Sequence, residues 1–359
     1  VTIYLLAGGG TAGHVNPLLA VADVLRARDR QDTVLVLGTA DGLESRLVPE
    51  RGYQLLTIEK VPFPRRLNKS ALGFPMRLRR AIKQVRAIIR EHGVDVVAGF
   101  GGYASAPAYL AAKREGVPFV VHEANARPGL ANRLGARSAA AVGVTFAGTV
   151  LPKAEVVGMP LRAEVVNLDR AAKRTEAAEF FGLDATRPVL LVFGGSQGAV
   201  RLNAALEDSW RELVAAGWQV LHATGEKNAV SNVDDARYRV VPYLDRMDLA
   251  LALADVVLSR AGSSTVSELS ALGIPAIYIP LAVGNGEQKL NVASAVTAGA
   301  ARVIDDAGFD GETVREQVIP LLNDQEELTQ MATAATKIGI RTGAENVVAQ
   351  LDRVAADKR

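Results

Sequence analysis

The sequence predicts an α/β protein made of two doubly wound parallel-sheet domains, and three observations carry that prediction. Short apolar, β-rich runs alternate with helical patterns along nearly the whole chain, as expected of βα units. These runs fall into two sets of five, with a break between residues 144 and 188. At 359 residues, the chain is long enough for two separate cores of about 150 residues each.

Taken in order, the first set of strands comprises 2–7 (TIYLLA), 33–38 (TVLVLG), 94–98 (VDVVA), 118–122 (PFVVH) and 140–144. Between the first two, a helix over 16–28 carries Leu18, Val21, Ala22 and Leu25 on one face at helical spacing. The second set comprises 188–193 (PVLLVF), 218–223, 238–242, 255–259 (DVVLS) and 276–280 (AIYIP). The two halves open alike: strand 2–7 leads to Gly8-Gly9-Gly10 and a helix, and strand 188–193 leads to Gly194-Gly195-Ser196-Gln197-Gly198 and a helix. The boundary is expected near Gly158-Met159-Pro160. This gives domains of 1–160 and 161–340 facing across a cleft, with a final helix in 341–359, capped by Thr342 or a neighbour, packed back on the first.

Composition narrows the functional classes. With 49% apolar and 22% charged residues, the chain is of globular type. It has no cysteine, which excludes disulfides and thiolate metal sites and suits a reducing compartment. The first residues lack the basic region of a secretion signal, and their apolar run breaks at Gly8. The longest uncharged runs, 96–112 and 269–286, are interrupted by Gly and Pro, so no transmembrane helix is expected. The net charge of +2 conceals an asymmetry: residues 65–90 hold nine Lys or Arg and no acid, leaving 32 basic against 39 acidic residues elsewhere.

Gly8-x-Gly10-x-x-Gly13 satisfies the dinucleotide fingerprint, in which glycines let the backbone approach a pyrophosphate at a helix N-terminus. The acid expected at the end of the second strand is missing, however, because Asp41 comes late and after Gly38. A P-loop is excluded because His14-Val15 stands where Lys-Ser/Thr belongs. The plainer alternative is a tight βα turn with no ligand. Three further loops weigh against it: Phe100-Gly101-Gly102-Tyr103-Ala104-Ser105, 194–198, and Ala261-Gly262-Ser263-Ser264-Thr265 each follow a strand and open a helix. Such loops at the carboxyl ends of parallel strands imply a ligand bearing phosphates and hydroxyls.

GGGTAGHVNPLLAVA, GGYASAP, HEAN, GMPLR, GGSQGA, RAGSSTVSE and GEQKLN occur in that order over most of the chain. Through them the sequence resembles the MurG family of bacterial N-acetylglucosaminyltransferases, enzymes of GT-B fold with two Rossmann-like domains. The resemblance implies inverting transfer of N-acetylglucosamine (GlcNAc) from UDP-GlcNAc to the 4-hydroxyl of the muramyl sugar of lipid I, giving lipid II at the cytoplasmic face of the cell membrane. Other GT-B transferases and UDP-sugar epimerases share the nucleotide geometry but not this motif series. A dinucleotide oxidoreductase and a non-catalytic UDP-sugar binder are the alternatives outside that class.

His14 is the candidate base for the acceptor hydroxyl; capping its helix or binding a phosphate are its other readings. Gly9, Gly10, Thr11, Ala12 and Gly13 form the expected acceptor or diphosphate loop, with Tyr103 and Asn125 at matching acceptor positions. On the donor side the resemblance assigns Glu268 to the ribose hydroxyls, although Thr265-x-x-Glu268 also reads as a capping box. Ser263, Ser264 and Thr265 are assigned to the diphosphate, and Ser196 and Gln197 to the nucleotide. Arg162 is placed beside the nucleotide, with an ordinary linker ion pair as its alternative. Gln288 and Asn291, spaced i and i+3, are assigned to the sugar hydroxyls. Glu287 departs from the Gln or His usual in the family. His122-Glu123 is not a zinc-protease motif, since Ala126 occupies the second histidine position. No Asp-x-Asp pair occurs, so neither a protein-bound metal nor another cofactor is expected.

In the basic segment 65–90, Leu78, Ile82, Val85 and Ile89 make one helical stripe and Arg79, Lys83, Arg86 and Arg90 another. It reads either as the solvated face of a core-packed helix or as attachment to an anionic membrane, with Leu67, Leu72, Phe74 and Met76 at the interface. Aromatic interleaving and nucleic-acid motifs are absent, so nucleic acid is not an expected partner.

Overall fold

The computed structural model describes residues 1–28, 31–63, 73–195, 198–228, 233–281 and 286–357. The chain divides into two compact units: Val1–Arg162 with Arg341–Arg359, and Ala163–Ile340. This division falls two residues past the expected boundary.

Unit 1 is built on a seven-stranded parallel sheet: β1 (Ile3–Ala7), β2 (Thr33–Thr39), β3 (Gln54–Ile58), β4 (Val96–Gly99), β5 (Phe119–Glu123), β6 (Ala141–Val144) and β7 (Ala154–Val156). The order is β3-β2-β1-β4-β5-β6-β7, so it reverses between β1 and β4. Apolar side chains cover both faces of the central strands, with helices on each side, as a buried parallel sheet requires. Ala7 pairs in register with both Leu37 and Gly99. The three strands therefore release their following loops side by side at the switch point, where ligands of such sheets bind.

Unit 2 repeats the plan with β8 (Val189–Phe193), β9 (Gln219–Ala223), β10 (Tyr238–Val241), β11 (Val256–Ser259), β12 (Ala276–Tyr278) and β13 (Ala301–Val303). Its order is β10-β9-β8-β11-β12-β13. Phe193 is in register with Ser259 and Ala223, which brings the loops after β8 and β11 together.

All ten expected strands form. The three that were not expected, β3, β7 and β13, are all edge strands. β7 is exposed along its whole length and β13 at two of its three residues, while β3 mixes exposed Gln54 and Thr57 with half-buried Leu55 and Leu56 and buried Ile58, so none of the three shows the continuous apolar run by which a central strand declares itself. The first helix spans Ala12–Arg26, starting four residues before the expected 16–28. His14 thereby lies in its first turn. The last helix, Gly343–Ala356, packs on unit 1 as expected, burying Val347, Val348, Leu351 and Val354. Asn346 Nδ2 donates to the Val157 carbonyl at 2.9 Å, and Asp352 accepts from Arg28 at 2.9 Å and from the Tyr4 hydroxyl at 3.1 Å. Thr342 occupies the N-cap position but makes no side-chain cap; its hydroxyl accepts from Asn346 instead.

Candidate functional site

In unit 1 the loops after β1 and β4 interlock, and glycine is what permits it. Gly101 and Gly102 have φ of +96° and +80°, a region that disfavours residues with a Cβ. A Cβ on Gly102 would stand 2.2 Å from the Gly9 carbonyl oxygen, and one on Gly101 would stand 2.9 Å from His14 Nε2. Ser105, fully buried, locks the second loop: its Oγ accepts from Gly101 N–H at 3.0 Å and lies 3.0 Å and 2.7 Å from the Ala7 and Gly101 carbonyls. The Tyr103 ring lies over Gly10 and carries the Lys60 ammonium 5.1 Å from its centroid.

His14 is held by this construction. Its Nδ1 is 3.1 Å from the Gly9 carbonyl oxygen and 3.1 Å from Thr11 Oγ1. A carbonyl only accepts, so a hydrogen bond to Gly9 requires the proton on Nδ1 and the lone pair on Nε2, whereas the Thr11 hydroxyl suits either tautomer. Thr11 is the N-cap without a side-chain cap. The first-turn amides of Ala12 and Gly13 have no intrahelical acceptor, the arrangement that suits an anion at a helix N-terminus.

Glu44 is a residue of this loop system that sequence reasoning missed. Only 1% exposed, it accepts from Gly10 N–H at 2.8 Å, Thr39 N–H at 2.9 Å and the Thr39 hydroxyl at 2.8 Å. Burial alone would raise its pKa, but the hydrogen bonds donated to its oxygens outweigh burial and hold the carboxyl below the usual glutamate range. The acid sought at the end of the second strand is thus present three residues beyond Asp41. It ties down the amide of Gly10 instead of holding a ribose. The available signal was the pair Gly38 and Gly42, both of which lie against its carboxylate.

Further along the sheet, His122 and Glu123 are buried at the end of β5. Glu123 accepts from Asn125 N–H at 2.9 Å, Gly129 N–H at 3.0 Å and Asn132 Nδ2 at 2.9 Å, so HEAN folds around its own carboxylate. Asn125 is presented on that braced turn. His122 lies against the Gly158 carbonyl at 3.0 Å, and burial pushes its pKa down to about 4.

In unit 2 the helix Ser263–Leu272 starts with Gly262 as N-cap. Thr265 is therefore the third helical residue, and the capping box with Glu268 does not form; Glu268 sits beyond the first turn. Ser263, Ser264 and Thr265 provide the first backbone amides of this helix, the arrangement that receives phosphate. Gln288 Oε1 accepts from Ala261 N–H at 3.2 Å and Leu281 N–H at 2.9 Å. Asn291 is fully buried, its Nδ2 3.3 Å from the Ala261 carbonyl. Both side chains thus brace the loop that starts the Ser263–Leu272 helix, and Asn291 is buried in doing so. Spacing along the sequence placed the two residues together but did not reveal these bonds to the loop backbone.

The glycine loop after β8 is supported from below. Gly198 packs against the Thr224 carbonyl, which accepts from Asn203 Nδ2 at 3.0 Å. Asn203 Oδ1 in turn takes His222 Nε2 at 3.0 Å, and His222 Nδ1 faces the Tyr238 hydroxyl at 2.9 Å. Ser196 and Gln197 lie outside the described residues. Arg162 is half-buried at the end of the first stretch of unit 1.

The helix Phe74–His92 resolves the two readings of the basic segment in part. Its apolar stripe, Ala81, Ile82, Val85 and Ile89, is buried in the unit 1 core. Arg86 and Arg90 both bind Glu115, and Arg80 binds Glu59. The exposed remainder includes Met76, Arg79 and Lys83. Arg65, Arg66, Leu67, Lys69 and Leu72 lie outside the described residues.

Two Rossmann-like sheets, each with a glycine loop feeding a helix at its switch point, give the chain the GT-B architecture found among glycosyltransferases. Residues 4–144 match the glycosyltransferase family 28 N-terminal domain, and residues 189–348 match the family 28 C-terminal domain. A relative from Clavibacter sepedonicus is 59% identical over 96% of this chain and 94% of its own length. One from Streptomyces coelicolor is 50% identical over 99% of both chains. Each is named a UDP-N-acetylglucosamine--N-acetylmuramyl-(pentapeptide) pyrophosphoryl-undecaprenol N-acetylglucosamine transferase. Among solved structures, Acinetobacter baumannii MurG superposes with a TM-score of 0.81 at 27% identity, covering 98% of this chain and 100% of that one. A UDP-GlcNAc 2-epimerase from Neisseria meningitidis, 15% identical with a TM-score of 0.71, shares the fold. The chain belongs to glycosyltransferase family 28 and, within it, to the MurG group.

Proposed function

We propose that this protein transfers GlcNAc from UDP-GlcNAc to the 4-hydroxyl of the muramyl sugar of lipid I, with inversion at the anomeric carbon. The observation that carries the reading is the hydrogen bond from His14 Nδ1 to the Gly9 carbonyl, which leaves Nε2 able to accept a proton. The acceptor hydroxyl gives its proton to Nε2 while its oxygen forms the new bond to the anomeric carbon. The bond from that carbon to the UDP oxygen breaks, and its electron pair leaves on the diphosphate. The first amides of the Ser263–Leu272 helix stabilise that charge, with Arg162 alongside. Glu268 holds the ribose hydroxyls, and Ser196 and Gln197 approach the nucleotide. Gln288 meets the sugar through its amide nitrogen. On the acceptor side, Ala12 and Gly13 receive the lipid diphosphate beside Tyr103 and Asn125.

The test is to incubate the protein with UDP-GlcNAc and a lipid I analogue and look for the disaccharide product, with His14→Ala in parallel. Product should form, and the variant should lose roughly 10²–10⁴-fold in turnover while binding UDP-GlcNAc as before. Equal turnover in the two proteins would overturn the base assignment. No product with any of several acceptors would overturn the function.

No helix among the described residues is long and apolar enough to cross a membrane. For a lipid-linked acceptor we infer peripheral attachment to the anionic cytoplasmic leaflet through the segment 65–90, with no nucleic-acid partner. The exposed Arg79 and Lys83 supply the attraction, roughly 1 kcal/mol for each cation near the surface.

A further inference from the structure

The Gly9–Gly10 peptide unit is gripped at both edges by ionisable side chains. Its N–H donates to Glu44 Oε2 at 2.8 Å, and its C=O faces His14 Nδ1 at 3.1 Å. One planar amide therefore stands between a buried carboxylate and the ring nitrogen opposite the candidate base. A carboxylate on the N–H edge polarises an amide and makes its carbonyl a stronger acceptor, because hydrogen bonds in a chain reinforce one another in a low-dielectric setting.

We propose that Glu44 is a positioning residue for transfer: acting through the Gly9–Gly10 peptide, it fixes the Nδ1–H tautomer of His14 and raises the basicity of Nε2. The inference rests on His14 being the base. The arrangement does through a backbone amide what a carboxylate does directly when it orients a catalytic histidine.

Three observations support a dedicated device. The carboxylate lies outside water, and the bonds from Thr39 and Gly10 occupy both its oxygens. Gly9, Gly38 and Gly42 all lie so near it that a Cβ on any of them would collide with its oxygens or stem, so the backbone has been cleared around it. The loop after β4 closes over the same peptide, Gly102 against the Gly9 carbonyl and Gly101 against the imidazole. The charged and titratable groups around the relay are Glu44 beneath the loop, Tyr103 over Gly10, and Lys60 on the Tyr103 ring.

Glu44→Gln keeps the shape but not the relay. With its oxygen turned to Thr39, the amide would point an N–H at the N–H of Gly10. The experiment reads ring ¹⁵N shifts of His14 in the full chain, together with kcat/KM against pH for wild type, Glu44→Gln, His14→Ala and the double variant. Above the acid limb, wild-type His14 should carry its proton on Nδ1. Glu44→Gln should lose that preference, fall about tenfold in turnover and move the acid limb down by about one pH unit. In the His14→Ala background the same change should cost nothing further.

An Nε2–H tautomer in the wild type would overturn the relay. So would a Glu44→Gln loss that is equal in both backgrounds with the limb unmoved, since that is what a merely structural role produces. Full turnover in His14→Ala would instead overturn the base assignment, because the tautomer is read without turnover. Should Glu44→Gln fail to fold, the wild-type ring shifts alone decide the relay.

Discussion

His14 is one of only four histidines, and the neighbourhood of each decides what it does. Two are sealed in the cores: burial pushes His122 and His222 down to about 4 from an ordinary 6.5. The unfolded chain binds a proton at each as pH falls through 6.5, whereas the native state does so only near 4. Stability is thus full above 6.5 and declines across that window, by up to roughly 3 kcal/mol per histidine. NMR titration should show neither ring protonating before about pH 4, with the thermal midpoint falling over the same interval; native titration of either near 6.5 would contradict it. Gly102→Ala is a second residue-scale test. Its Cβ would meet the Gly9 oxygen at 2.2 Å with φ at +80°, so a loss of about 1–3 kcal/mol is expected, with turnover falling more than donor binding. Chemical denaturation and a donor-binding titration check it. His14 was legible in the sequence because it stands where a dinucleotide loop has no use for a base. Glu44 was not, because two of its three donors are backbone amides and its only trace in the sequence is the flanking pair Gly38 and Gly42.

Among elements, the helix Phe74–His92 shows how structure reapportions a sequence signal. Both stripes were visible, but the apolar one fills the core, and Arg86 and Arg90 converge on Glu115 at 2.5 Å and 2.7 Å. Charge reversal at Arg79 and Lys83 should therefore weaken cosedimentation with anionic vesicles more than reversal at Arg86 and Arg90. Equal effects from the two pairs, or binding indifferent to salt, would count against the attachment surface. The strands obey a related logic. Central strands such as β1 and β8 are nearly continuous apolar runs because both faces are covered, and they can be read directly. Ala154–Val156, exposed at the sheet edge, depends on the β6 backbone for its existence. Nothing in its three side chains announces it.

At the level of the whole molecule, unit 1 is completed by the chain's last helix. Val347, Val348, Leu351 and Val354 lie in the same core as β1 and the Ala12–Arg26 helix, each contributing roughly 1.5–3 kcal/mol when buried. Against a domain stability of about 5–15 kcal/mol, ending the chain at Ile340 should unfold unit 1. Limited proteolysis should then degrade 1–162 and spare 163–340; resistance of both would show that the helix is dispensable. Transfer should also persist in excess chelator, since helix amides and Arg162 are proposed to meet the diphosphate; complete loss restored by one metal would refute this. By itself the sequence determined the two parallel-sheet domains, the family and the position of the candidate base, because periodicity, glycine spacing and ordered motifs are properties of the chain read in one dimension. The tertiary structure alone decided which loops interlock, which carboxylate holds the Gly9–Gly10 peptide, and which protein groups Gln288, Asn291 and the arginines of Phe74–His92 bind. Those outcomes depend on groups far apart in the chain meeting at hydrogen-bond distance, and no local pattern encodes such a meeting.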